Sequence, residues 1–228
     1  PLDDYITYAK ENNFGLGNPS LEEFLNKNPT SLPLYKLLGW SEAVNRTFPH
    51  ISAKIPPFKN VKESLDLMSQ YADVMVVSKT PYADLANYWE DQGIADYVRI
   101  IAGQEMGSKG HHIEVAKKAG EYEDDHVLMI GDGKGDLKAV KANRGLFYPT
   151  TPGKEQNAWD KFPDVFKAFI QGKYKGEFEE RLLADFDKAL LRTPPWEKVG
   201  YNHINSYREK QNIRKALYEK FNPGGRLL

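Results

Sequence analysis

The sequence predicts an α/β protein: a Rossmann-like parallel sheet with helices on both faces, plus a small helical cap and a helical C-terminal extension. Short β-branched runs alternate with segments of helical periodicity between residues 58 and 150, and this alternation is typical of parallel sheets. Outside that region apolar residues recur only at helical spacing. We therefore expect a cap over residues 1–57, a core over 58–170 and an extension over 171–228.

The cap is predicted as a group of short helices. Ser20 is expected to be the N-cap of one of them, because Glu22 and Glu23 follow in the first turn. A leucine-rich segment predicts a second helix that ends before Gly39, and Ser41 is placed to cap a third.

Four buried strands are predicted in the core from short apolar runs. They are Asp73–Val77, Val98–Ile101, Val127–Ile130 and Gly145–Tyr148. Helices are expected between them over residues 82–92, 110–119 and 137–142. Because strands and helices alternate, the connections are predicted to be crossovers between parallel strands.

The extension is predicted to be two helices. Phe178, Leu182, Phe186 and Leu190 recur every four residues and form one stripe. A proline pair follows, and a second helix is expected over about residues 203–220.

Composition excludes several classes of function. The 32 acidic and 31 basic residues leave a formal charge of −1, which gives no electrostatic reason to expect nucleic acid or a membrane surface as a partner. No apolar run approaches the length of a membrane-spanning helix. The chain has no cysteine, which rules out disulfides and thiolate chemistry. We expect a cytoplasmic protein.

The strongest chemical signal is the segment 129–136, Met-Ile-Gly-Asp-Gly-Lys-Gly-Asp. An apolar strand runs into two carboxylates, Asp132 and Asp136, within a glycine-rich turn. Ligands of parallel sheets bind beyond the carboxyl ends of strands, and Mg²⁺ prefers one or two carboxylates together with phosphate and water oxygens. The spacing does not fit a dinucleotide fingerprint, a P-loop or an EF-hand.

Two further segments carry candidate phosphate ligands. Ser78 ends a predicted strand, so its hydroxyl can donate to a phosphate oxygen, and Lys79 beside it is a further candidate. Lys109 lies just before a predicted helix, where its charge adds to the field of the helix N-terminus.

In this order, the three segments resemble the second, third and fourth motifs of the haloacid dehalogenase-like superfamily. The resemblance covers residues of about 58–150, and residues 1–57 then resemble the helical cap of that family. It implies that Ser78 holds the transferring phosphoryl group and that Lys109 neutralises its charge. It also implies that Asp132 binds Mg²⁺, and that Asp136 binds it through water or orients Lys109.

The first motif of that family, an apolar strand ending in Asp-x-Asp that supplies the nucleophile, is missing from the 228 residues. We expect it upstream of Pro1. Within the chain, Asp185 and Asp187 match the spacing, and a circularly permuted core could place them centrally. The helical stripe around them favours a helix instead.

The resemblance implies a Mg²⁺-dependent phosphomonoester phosphatase that forms a phosphoaspartyl intermediate on a small phosphorylated metabolite. A phosphosugar mutase would use the same covalent chemistry. A catalytically inactive relative that binds a phosphorylated ligand or a protein partner, and a haloacid dehalogenase, stay open as alternatives. The sequence predicts neither the substrate nor the oligomeric state.

Overall fold

The computed structural model describes residues 1–52 and 55–221. The α-helices within these ranges are α1 (Leu2–Glu11), α2 (Asn18–Lys27), α3 (Leu32–Ser52), α4 (Val61–Tyr71), α5 (Tyr82–Asp91), α6 (Lys109–Ala119), α7 (Lys134–Ala142), α8 (Glu155–Ile170), α9 (Glu177–Ala189) and α10 (His203–Phe221). The strands are β1 (Met75–Val77), β2 (Ile100–Ala102), β3 (Leu128–Gly131) and β4 (Leu146–Pro149).

The predicted fold class is wrong. Helices make up 64% of the structure, and the four strands form two separate two-stranded parallel sheets within the described residues, β1 with β2 and β3 with β4. A Rossmann-like core needs one continuous sheet, and β1 and β3 are not hydrogen-bonded to each other. The sequence pattern located the strands but carries no information on which strand edges meet.

Each predicted strand has a counterpart in the structure that lies within two residues of the expected position. β1 pairs with β2 in the register Met75 to Ile100, and β3 pairs with β4 in the register Leu128 to Leu146. All four residues of β4 are buried, as expected for a strand covered on both faces.

The N-terminal helices share an apolar core of their own. Its buried members come from α1, α2 and α3 and are Tyr5, Ala9, Leu21, Phe24, Leu25 and Leu34. Tyr5 and Phe24 have ring centroids 5.9 Å apart. Because these helices bury their apolar faces against one another, their packing does not depend on a sheet.

Two helix ends predicted in this region are wrong. α2 begins at Asn18 with Gly17 as its N-cap, because Pro19 suits the first turn of a helix, where its missing N–H is not needed. The buried Ser20 hydroxyl instead donates to the carbonyl of Gly15 (2.7 Å). Likewise, α3 continues through Gly39 and Ser41, since a single glycine weakens a helix by only about 1 kcal/mol.

The core around β4 is held by buried polar groups as well as apolar ones. Tyr148 donates to the carbonyl of Ala158 (2.7 Å), and Tyr174 donates to that of Phe147 (2.6 Å). The buried Glu179 carboxylate accepts from the Phe147 amide (2.7 Å) and from Lys141 (2.6 Å). These bonds satisfy polar groups that would otherwise be costly to bury.

The chain divides into two compact units, Pro1–Glu179 and Glu180–Leu228. Asp185 and Asp187 lie within the helix α9, so the permuted interpretation, which needs a strand here, is wrong. Among the described residues, no helix is both long enough and apolar enough to cross a membrane.

Candidate functional site

The turn after β3 holds the two predicted metal-binding aspartates in different surroundings. Asp132 is exposed, whereas Asp136, in the first turn of α7, is only 6% exposed. A Cβ atom on Gly131 would lie 2.7 Å from both the Cβ atom and a carboxylate oxygen of Asp136. Glycine at position 131 therefore lets the Asp136 side chain pack directly against the end of the strand.

Lys109 is brought to this turn by the helix α6. Ser108 is its N-cap, and the Ser108 hydroxyl accepts from the amide of His111 (3.2 Å). The cap fixes the start of the helix, and the Lys109 ammonium then donates to Asp136 Oδ1 at 2.5 Å. The two side chains are 24% and 9% exposed, so the ion pair is largely shielded from water.

Ser78 lies just beyond β1, and its hydrogen bonds stay within its own turn. The hydroxyl accepts from the Thr80 amide (3.1 Å) and donates to the Thr80 hydroxyl (3.1 Å). Lys79 between them is exposed. Thr80 was not singled out from the sequence, although a hydroxyl two residues after Ser78 is a recognisable turn signal.

The turn after β3 contacts the start of α6, and the turn after β1 contacts the segment that leads into this helix. The carbonyl of Thr80, just after β1, accepts from the amide of Gln104, five residues before Lys109. Lys109 itself is bound to Asp136 after β3. Two of the predicted residues, Lys109 and Asp136, are therefore in direct contact. Ser78 lies at the end of another strand, β1.

The side chains at this strand end provide only some of the ligands that a hard cation needs. Over residues 1–52 and 55–221, no group of three or more His, Cys, Asp or Glu side chains could hold a metal ion. Mg²⁺, however, is commonly bound through one or two carboxylates, with phosphate and water oxygens completing its shell. Asp132 offers an exposed carboxylate of that kind, while the Asp136 carboxylate already neutralises Lys109.

An open groove of about 950 Å³ runs along α6 and the end of α7. It contains Lys117, which binds the Asp124 carboxylate and donates to the carbonyl of Asn143 (3.0 Å). The hydrogen bond from Lys117 lowers the pKa of Asp124. None of the predicted site residues lines this groove, and its Lys117 and Arg144 side chains both bind Asp124.

No protein-family model, no curated protein and no solved structure matches the chain. The resemblance to the haloacid dehalogenase-like superfamily therefore depends on the three motifs alone.

Proposed function

We propose that this protein is a Mg²⁺-dependent phosphohydrolase that acts on a small phosphorylated metabolite. The observation that carries the proposal is the 2.5 Å ion pair between Lys109 and Asp136, four residues after the exposed carboxylate of Asp132. Phosphoryl transfer is catalysed mainly by positioning and by stabilising charge, and this strand end combines a held cation with an exposed acid.

Lys109 is the group assigned to the phosphoryl oxygens. Its ammonium is held by Asp136, whose own carboxylate is fixed against Gly131. A cation held in place before the reaction stabilises developing charge without reorganising. Asp136 acts here as a positioning residue.

Asp132 is the residue assigned to Mg²⁺. When bound, the ion would neutralise part of the phosphate charge and orient the substrate. Asp132 is exposed at the carboxyl end of β3, where both a solvated ion and a phosphate can reach it. Asp136 would contribute through water or through its hold on Lys109.

Ser78 and Lys79 are assigned to the phosphate from the neighbouring strand end. The Ser78 hydroxyl donates to Thr80 and can turn to donate to a phosphate oxygen instead, since a hydroxyl rotates freely. Lys79 is exposed and adds positive charge beside Ser78. These roles follow the order of motifs in the haloacid dehalogenase-like superfamily.

By the same resemblance, the covalent step would use the aspartate of the first motif, which no strand of the described residues carries. Its carboxylate oxygen forms a bond to phosphorus while the bond to the ester oxygen breaks and that oxygen takes a proton. Water then releases inorganic phosphate and restores the carboxylate. The 228 residues supply the phosphate-binding and charge-stabilising groups for both steps.

The test separates binding from turnover. Calorimetry with inorganic phosphate should show binding that needs Mg²⁺ and that EDTA abolishes. Asp132→Asn should weaken this binding by about tenfold or more, equivalent to about 1.4 kcal/mol, because it removes the charge that attracts the cation. Release of phosphate from a panel of phosphomonoesters is then measured with the same preparations.

Asp3→Asn serves as the matched control, since Asp3 is an exposed aspartate on α1 outside the proposed site. It should leave phosphate binding unchanged. Phosphate binding that is independent of Mg²⁺, or equal in the wild type and in Asp132→Asn, would contradict the assignment of the metal site.

One observation favours a second candidate, a protein that binds a phosphorylated ligand without turning it over. The one Asp-x-Asp pair in the sequence, Asp185 and Asp187, lies on the helix α9. Mg²⁺-dependent phosphate binding, together with a gene that encodes no apolar strand ending in Asp-x-Asp before the Pro1 codon, would support this candidate over the hydrolase.

A further inference from the structure

The segment between β2 and α6 carries an acidic residue to which no role has been assigned. The segment begins at Gly103, directly after β2, forms a short 3₁₀ helix at Gln104–Met106 and ends at Lys109, the first residue of α6. Glu105 lies in the middle of the 3₁₀ helix and is exposed. Its carboxylate contacts a different part of the chain, the start of α5.

Glu105 accepts a hydrogen bond from the first residue of α5. Its Oε2 atom lies 3.0 Å from the amide nitrogen of Tyr82. Amides in the first turn of a helix have no partners within the helix, and the N-cap residue, Pro81, makes no side-chain hydrogen bond to them. Glu105 therefore caps α5 from outside the helix, at the end where the helix dipole favours a carboxylate.

Glycine at position 103 allows this contact. A Cβ atom on Gly103 would lie 2.5 Å from the amide nitrogen of Tyr82 and 2.8 Å from Oε2 of Glu105. Both separations are too short for a real side chain, so a larger residue would push the two segments apart. The segments approach closely because residue 103 has no side chain.

A backbone hydrogen bond lies beside the Glu105 contact. The amide of Gln104 donates to the carbonyl of Thr80 (3.0 Å). Two successive residues of the 3₁₀ helix, Gln104 and Glu105, are thus bonded to the residues that follow β1. A single hydrogen bond would leave the two segments free to turn about it, whereas two bonds also fix their relative orientation.

Each of these segments carries a group that is assigned to the phosphate. The hydroxyl of Ser78 is hydrogen-bonded to Thr80, and Lys109 lies four residues after Glu105 in the chain. Lys109 is also held by Asp136. The contacts of the 3₁₀ helix therefore connect the turn that carries Ser78 with the segment that carries Lys109.

We propose that Glu105 is a positioning residue of the phosphate site, which fixes the turn of Ser78 relative to the ammonium of Lys109. This inference rests on the proposed function, because that function assigns both groups to the phosphate. Glu105 acts as a hydrogen-bond acceptor and does not touch the phosphate, since a negative charge close to a phosphate opposes its binding. A site whose groups are already in place loses less freedom when the ligand binds.

Calorimetry with inorganic phosphate and Mg²⁺ compares the wild type with two substitutions of Glu105. Glu105→Ala removes the acceptor and should weaken phosphate binding about three- to tenfold, the factor that corresponds to one hydrogen bond. Glu105→Gln keeps an acceptor oxygen but removes the charge, and it should bind phosphate at least as tightly as the wild type. A residue that acted through its charge would give the same change in both variants.

Two further variants come from the same segment. Gln104→Ala is the matched control, because Gln104 is an exposed neighbour that contacts Thr80 through its backbone amide. It should leave phosphate binding unchanged. Gly103→Ala should weaken binding as Glu105→Ala does, because its methyl group separates the same two segments. Urea denaturation of each variant shows that the protein whose binding is measured is folded.

Amide hydrogen exchange measures the contact without phosphate. The Tyr82 amide should exchange faster in Glu105→Ala than in the wild type, because its acceptor is lost. In Glu105→Gln and Gln104→Ala it should exchange at close to the wild-type rate. Equal exchange at Tyr82 in the wild type and in Glu105→Ala would overturn the role of Glu105.

The results distinguish a failure of this inference from a failure of the proposed function. A wild-type protein that binds no phosphate in the presence of Mg²⁺ would overturn the proposed function, and this inference with it. Phosphate binding by the wild type that Glu105→Ala leaves unchanged would overturn only the role of Glu105. So would an equal loss of binding in Glu105→Ala and Glu105→Gln.

Discussion

The side chain of Asp136 lies close to two residues. Its carboxylate binds the ammonium of Lys109, and its Cβ atom would lie 2.7 Å from a Cβ atom added to Gly131. From the sequence, Asp132 and Asp136 are two similar acids four residues apart. Which of them is buried is decided by the start of α7 and could not be predicted from spacing alone.

Gly131→Ala should disrupt this arrangement. The added methyl group would lie 2.7 Å from the Cβ atom of Asp136, which cannot rotate away because it is bonded to the backbone. We expect the free energy of unfolding to fall by about 1–3 kcal/mol, as for other overpacked sites, and Mg²⁺-dependent phosphate binding to weaken. Urea denaturation and calorimetry measure the two effects.

Gly133→Ala is the control for this substitution. Its methyl group would approach Asp136 no closer than 3.6 Å, which is an ordinary contact, and its φ of −127° is open to any residue. The stability should change by less than about 1 kcal/mol. An equal loss of stability in Gly131→Ala and Gly133→Ala would contradict the explanation that Asp136 requires a glycine at position 131.

Two buried tyrosines make the stability of the chain sensitive to alkali. Burial raises the pKa of Tyr148 to about 12, and burial also raises the pKa of Tyr174. A tyrosine in the unfolded chain loses its proton near pH ~10. Above that pH the unfolded state binds fewer protons than the folded state, so folding becomes less favourable as the pH rises.

Tyr148→Phe should therefore reduce the loss of stability between pH ~10 and 12, where each such group contributes up to about 1.4 kcal/mol per pH unit. At neutral pH the same variant should be less stable by about 1 kcal/mol, because the hydrogen bond to Ala158 is lost. Denaturation curves at pH 8 and pH 11 measure both changes. Tyr71→Phe, at a tyrosine that is 64% exposed, should follow the wild type.

Among the elements, α3 departs most from its predicted form. A leucine-rich pattern indicated a helix that ends before Gly39, but the helix runs on from Leu32 to Ser52. A glycine is a weak stop signal because its cost in a helix is small. The packing of Leu34 in the N-terminal core holds the helix on one side of Gly39, and no proline or polar cap ends it there.

Gly39→Ala should raise the free energy of unfolding by about 0.5–1 kcal/mol, since alanine favours a helix over glycine by that amount. A Cβ atom there would meet nothing within 4 Å, so no clash opposes the gain. Thermal unfolding measures it. Gly107→Ala should have the opposite effect, because glycine is required at its φ of +129°. A decrease in stability for Gly39→Ala would show that the helix is broken at this position.

The strands were located well because runs such as residues 73–77 have a strong local signal. The first residues of the helices were predicted less accurately. The acidic residues after Ser20 predicted an N-cap at that residue, but the N-cap is Gly17, three residues earlier, because Pro19 lies in the first turn of the helix. Local sequence thus predicted the kind of each element better than its first residue.

At the scale of the whole molecule, the pairing of strands could not be predicted. The order in which strands lie in a sheet depends on which backbone edges meet, and a periodic apolar pattern marks only buried faces. The prediction of one sheet failed between β1 and β3, where the structure has a cavity instead. The site prediction depended less on this pairing, because Lys109 and Asp136 meet across α6 and α7.

The position of the two strand edges also bears on self-association. An exposed edge is a template for aggregation, since any other edge strand can add to it. Here residues 73–77 at one edge and 126–130 at the other line the same cavity, which side chains of α4, α6 and α8 also line. Because helices line the same cavity, these edges are less open to a strand of another molecule than an edge that faces solvent, and this cover opposes aggregation as charge or proline does at other edges.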